Sequence, residues 1–142
     1  MNYRARNIRM HSSDKYYISK QAYLTAMHFA YQYRDWLVEY NSLVGIKAGA
    51  GDGMPRGNST GDPTETTAER LASLSGKIKL IEETVHETDP DLAPWLLQSV
   101  TIEDLTIEGL FRRQNVPCSR RTFSRRRSKF YFLLSHALEK RF

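Results

Sequence analysis

The residues best suited to chemistry in this chain are arginines, and they sit together. Arg112 and Arg113 are followed by Arg120 and Arg121, then by Arg125, Arg126 and Arg127. A guanidinium is planar and always charged, and it presents a fork of donors. That fork grips a phosphate, or bonds the O6 and N7 atoms of guanine together. Residues 111–142 hold ten Lys/Arg against the single acid Glu139, a local charge of +9. The other 110 residues hold eleven basic and fifteen acidic side chains, or −4. A basic block on a mildly acidic chain is the footprint of a polyanionic partner. A solvated basic helix face is the simpler reading of the same charge run.

Other reactive side chains are scattered. His11, His28, His86 and His136 have no His-x-x-x-His or Cys/His spacing, so no local pair of metal ligands is expected. Glu82, Glu83 and Glu87 cluster on one helix without a companion catalytic motif, and read as a solvated face. Cys118 is the lone cysteine. It stands at a helix start beside Arg120, where its pKa could fall, but no evident base accompanies it. It therefore reads as an incidental turn residue. The glycine-rich run 49–57 lacks the Lys-Ser/Thr of a phosphate-binding loop, and no strand precedes it. The expectation is a binding protein, not an enzyme, with no cofactor and no metal. One cysteine and no apolar run of 18 residues fit an intracellular, cytoplasmic setting with no membrane span.

The elements that must position the arginines can be read upstream. Residues 1–18 are basic and irregular, and read as a flexible arm. Ser19 is a plausible cap for a long helix over 20–44. Its residues Ala22, Ala26, Phe29, Tyr33, Trp36, Tyr40 and Leu43 step by four and three along one stripe. Aromatic side chains at that spacing read as core in preference to a base-stacking platform. Six of the eight glycines fall in 45–61, predicting a loop. Asp62 and Pro63 restart helix as cap and first residue. Leu71, Leu74, Ile78, Ile81 and Val85 then form a heptad-like seam. Its partner is either the first helix folded back as a hairpin, or the same helix of a second subunit in a homodimer.

Asp89 and Pro90 mark another cap, followed by a short apolar helix with Leu92, Trp95, Leu96, Leu97 and Val100. Thr106 caps a helix running to about Gln114. Asn115, Val116 and Pro117 interrupt it, and Ser119 caps a final helix over 120–139. Phe123, Phe130, Leu134 and Ala137 or Leu138 give that helix an apolar side to set against Leu110, Trp95 and Leu97. The predicted fold is all-α. A two-helix hairpin over 19–88 precedes a three-helix helix-turn-helix module over 89–142. Ser119, Arg120, Arg121, Ser124, Arg125 and Arg126 are the candidate DNA-binding residues of the second helix, with Arg112 and Arg113 aimed at backbone phosphates.

The stretch LLQSVTIEDLTIEGLFRRQNVPCSRRTFSRRRSKFYFLLSHAL resembles the helix-turn-helix of sigma region 4-like regulators, with Ser119-Arg120-Arg121-Thr122-Phe123 opening the recognition helix. Together with MPRGNSTGDPTE upstream, it is similar to phage and prophage proteins of the ArpU/RinA kind. That resemblance implies double-stranded DNA as partner, transcriptional control in a bacterial host cell, and RNA polymerase or another protein as a second partner. Two alternatives stand beside it. One is a packaging protein like a phage small terminase subunit. The other is an interaction module that inhibits a host nuclease or polymerase.

Overall fold

The structure is a computed structural model that describes residues 15–48 and 63–141. Residues 1–14 of the arm predicted over 1–18, the Asp62 cap and most of the glycine-rich loop lie outside the described residues. Among those described, every regular element is helical. They are α1 (Lys20–Tyr31), α2 (Tyr33–Ala48), α3 (Pro63–Thr88), a 3-10 turn (Pro90–Leu92), α4 (Ala93–Thr101), α5 (Ile107–Arg113) and α6 (Arg120–Arg141).

Ser19 starts α1 as its sequence suggested: the Oγ accepts the Ala22 amide at 3.1 Å, satisfying one of the orphan donors of the first turn. The long helix predicted over 20–44 differs in two ways. It is interrupted at Gln32, whose amide tightens onto the Phe29 carbonyl at 3.2 Å. Trp36 then picks up the Gln32 carbonyl at 3.0 Å and the helix resumes. The interruption lets one segment serve two neighbours: α1 packs on α4 and α6, while α2 packs on α3. The helix also continues to Ala48, so the expected loop does not begin at Gly45. No neighbouring atom lies within 4 Å of a Cβ placed on Gly45, so nothing there demands glycine.

The aromatic stripe is core. Ala26, Tyr33 and Trp36 are buried, and Phe29, Tyr40 and Leu43 are partly buried against the same cluster. Helices α2 and α3 run antiparallel, and their paired side chains fix the register. Tyr33 donates to Glu82, the Lys77 ammonium lies 5.1 Å from the centre of the Trp36 ring, and Arg70 forks onto both oxygens of Glu39 at 2.7 Å.

The heptad-like seam of α3 is buried within the chain. Leu74, Ile78, Ile81 and Val85 face α2, α4 and α6, so no second subunit is needed to cover them. Leu80 and two threonines are buried with them. Each threonine hydroxyl turns back on its own helix: Thr84 donates to the Leu80 carbonyl at 2.6 Å and Thr88 to that of Thr84 at 2.7 Å. This internal bonding removes the penalty for burying the hydroxyl.

Helix α6 is the central strut. It packs on α1, α3, α4 and α5. Phe123, Phe130, Tyr131, Leu134 and Leu138 are buried on it, at helical spacing. The buried cluster runs from Tyr23 to Leu138, so both halves of the sequence contribute to one core.

Candidate nucleic-acid interface

Five constraints hold the first turns of α6. Thr106 caps α5 through a 2.9 Å bond from the Gly109 amide to its Oγ1. Helix α5 ends one residue earlier than expected, at Arg113, and Gln114 is its C-cap. Gln114 and Gln98 exchange amide hydrogen bonds at 3.2 and 2.7 Å, tying the turn to α4. Phe111 meets Phe123 edge to face at 5.5 Å, locking α5 against α6. Ser119 then opens α6, its Oγ accepting the Thr122 amide at 3.1 Å and donating to the Thr122 hydroxyl at 3.0 Å. The chain between Gln114 and Ser119 is closed by tight local bonds, Val116 to Gln114 at 3.1 Å and Cys118 to Val116 at 2.8 Å.

This framework sorts the candidate arginines. Arg121 and Arg125 are four residues apart, on the side of α6 away from Phe123 and Phe130. Both are exposed, and among the described residues neither has a hydrogen-bond or ion-pair partner. Arg120 is exposed with its guanidinium over the Phe111 ring at 5.7 Å, an arrangement that leaves its donors outward. Ser124 and Ser128 flank this face half-buried, and the Ser128 hydroxyl donates to the Ser124 carbonyl at 3.3 Å. Ser119 is spent on its cap. Arg113 is exposed at the end of α5, and Arg112 there makes a loose, solvent-exposed pair with Glu108 at 3.6 Å.

Two members of the Arg125–Arg127 run are committed elsewhere. Arg126 is ion-paired through Nε with Asp89 at 3.0 Å. Arg127 points inward, toward the Tyr131 hydroxyl at 3.4 Å. Asp89 is the residue whose role sequence reasoning missed. One oxygen accepts the Asp91 and Leu92 amides and caps the 3-10 turn, as its place before Pro90 suggested. The other holds α6, and no local sequence signal announces a partner 37 residues away.

Further down α6, Tyr16 packs edge to face on Phe132 at 5.3 Å, with Lys15 and Lys129 beside its ring. Tyr16, just before α1, thus covers part of the outer face of the second half of α6. Cys118, read from sequence as an incidental turn residue at a helix start that could lower its pKa, has the opposite shift. Burial, together with the nearby Asp89 carboxylate, pushes its thiol above the ordinary value, outweighing Arg126. The helix start does not activate it.

Among the described residues, no helix is long and apolar enough to cross a membrane, and no group of three His, Cys, Asp or Glu side chains is placed to hold a metal. No family model, no curated protein and no solved structure matches the chain.

Proposed function

We propose that α5, its turn and α6 act as a helix-turn-helix that binds double-stranded DNA. The observation that carries this reading is the sorting of the arginines. Arg126 and Arg127 are consumed by the fold, while Arg121 and Arg125 stand outward, without a partner among the described residues, on the first turns of a helix capped by Ser119. An exposed guanidinium without a carboxylate is available to a phosphate or to a guanine edge. In a helix-turn-helix the first turns of the second helix enter the major groove. Arg112 and Arg113, at the end of the preceding helix, then fall to the backbone and set register. On the resemblance of 96–138 to sigma region 4-like regulators, we assign the chain to transcriptional control in a phage or prophage, as a binding protein and not a catalyst.

The test is a titration of the whole protein against a pool of random duplexes at two salt concentrations, with sequencing of the bound fraction. The expected result is an enriched motif, and an affinity that falls steeply with salt because counterions are released. Replacing Arg121 or Arg125 by Ala should cost about 1–3 kcal/mol on the enriched duplex and much less on random duplex. Equal losses on both would make these residues phosphate contacts only. No binding at either salt concentration would end the proposal.

A further inference from the structure

A cavity of about 250 Å³ lies where α1, α4, α5 and α6 meet the 102–106 connection. Two polar groups that line it are unsatisfied. The Ser99 hydroxyl, on a residue only 3% exposed, has no hydrogen-bond partner. The Arg127 Nε is also buried without one. The rest of that guanidinium lies near the Tyr131, Tyr23 and Tyr31 phenols and bonds the Tyr131 hydroxyl, and among the described residues no carboxylate pairs with it. Buried polar atoms in folded proteins are nearly always partnered, and a buried cation without an anion is costly. Other neighbours are already engaged: the Thr106 hydroxyl, which also lines the cavity, is spent on the Gly109 amide.

The cavity lining has a direction. Arg127 and Ser99 form its floor, while Glu103 and Glu108 are exposed and stand at the mouth, Glu108 only loosely paired with Arg112 at 3.6 Å. A plain anion would satisfy the floor but meet two carboxylates on the way in. A plain cation would satisfy the mouth and leave Arg127 unpaired. We infer that the cavity is a binding site for a small zwitterion of amino-acid size, its carboxylate forked onto Arg127 and bonded by Ser99, its ammonium facing Glu103 and Glu108. A guanidinium suits the bidentate carboxylate contact, and such charge-assisted bonds are the strong ones. The site stands on these residues alone and does not depend on DNA binding.

The probes are the common L-amino acids added singly to the whole protein, followed by thermal unfolding, with acetate, methylammonium and inorganic phosphate as comparisons. At least one amino acid should raise the melting temperature saturably, with acetate and methylammonium far weaker. Arg127→Met keeps the stem and removes the charge, and should abolish the shift while the helical circular dichroism persists. If that variant fails to fold, Ser99→Ala and Glu103→Gln carry the test, each weakening binding by about tenfold or more. The inference is overturned if no amino acid shifts the transition, or if the shift survives unchanged in the variants. A shift with phosphate as large as that with any amino acid would overturn the zwitterion. Glu103→Gln lowering the melting temperature of the ligand-free protein would make Glu103 the internal partner of Arg127, and would overturn it too.

Discussion

At the scale of single residues, the chain uses short polar side chains to settle backbone groups and leaves Arg121 and Arg125 outward. Ser19, Thr106 and Ser119 each satisfy one amide at a helix start. The Ser119 bond bears most on the proposed DNA contact, because it fixes where α6 begins and so where Arg121 and Arg125 emerge. Ser119→Ala should destabilise the protein by about 1 kcal/mol in chemical denaturation, with no change in m-value. An unchanged midpoint would mean that the cap bond contributes nothing net. Tyr33 supports a second prediction, in pH. Burial and its hydrogen bond to Glu82 push the phenol well above its ordinary value of 10.0. Below pH 10 both folded and unfolded chains keep the proton, so Tyr33 adds no slope there. Above it the unfolded chain loses the proton first and stability falls as pH rises. Tyr33→Phe should therefore be less steeply destabilised than wild type above about pH 10, and run parallel to it below. Parallel curves throughout would show that the phenol titrates normally.

At the scale of elements, much of the helix order can be read from sequence, because caps and periodicity are local. Thr106, Asn115-Val116-Pro117 and Ser119 bracket α5 and α6 to within a residue or two. The 3–4 spacing of Leu74, Ile78, Ile81 and Val85 gives the buried side of α3. What escapes is tertiary. The interruption at Gln32 has no Pro or Gly to signal it, and follows from α1 and α2 having different neighbours. Leu80 lies off the seam and is buried all the same. Within the candidate site, the outward arginines were legible as a cluster, but their division was not. The pairing of Arg126 with Asp89 and the inward turn of Arg127 depend on where α3 ends in space. Asp89 joins two elements, and its loss should be felt in both. Asp89→Ala should cost about 1–2 kcal/mol, chiefly through the lost cap of the 3-10 turn. The Arg126 side chain is 41% exposed, so the ion pair itself adds only a few tenths. A double-mutant cycle with Arg126→Ala measures that coupling directly. A coupling above about 1 kcal/mol would show the pair to be far better shielded than its exposure indicates.

At the scale of the whole molecule, the sequence suggests a division between Thr88 and Asp89, with hairpin before and DNA module after. The distribution of the core argues for interdependence. Phe130, Tyr131 and Leu134 of α6 are buried in a cluster that includes Tyr23, Ala26 and Met27 of α1 and Leu74, Ile81 and Val85 of α3. Tyr23 and Tyr131 meet edge to face at 5.0 Å across that junction. A fragment of residues 89–142 would expose much of this side of α6. Burying one large apolar side chain stabilises by about 1.5–3 kcal/mol, so losing several such burials exceeds what a small domain can spare. The fragment should therefore show little helical circular dichroism and no cooperative melt. The whole chain should unfold in one transition, with fluorescence and circular dichroism midpoints coinciding. Phe130→Ala should shift both midpoints together, by a destabilisation of about 3–5 kcal/mol. A fragment that folds alone, or probes that separate, would mean that α6 is held by α4 and α5 and that its contacts with α1 and α3 are dispensable. Coincident probes would place the outward arginines on a helix anchored through the middle of the molecule, with the geometry of Arg121 and Arg125 set by residues as distant in sequence as Tyr23.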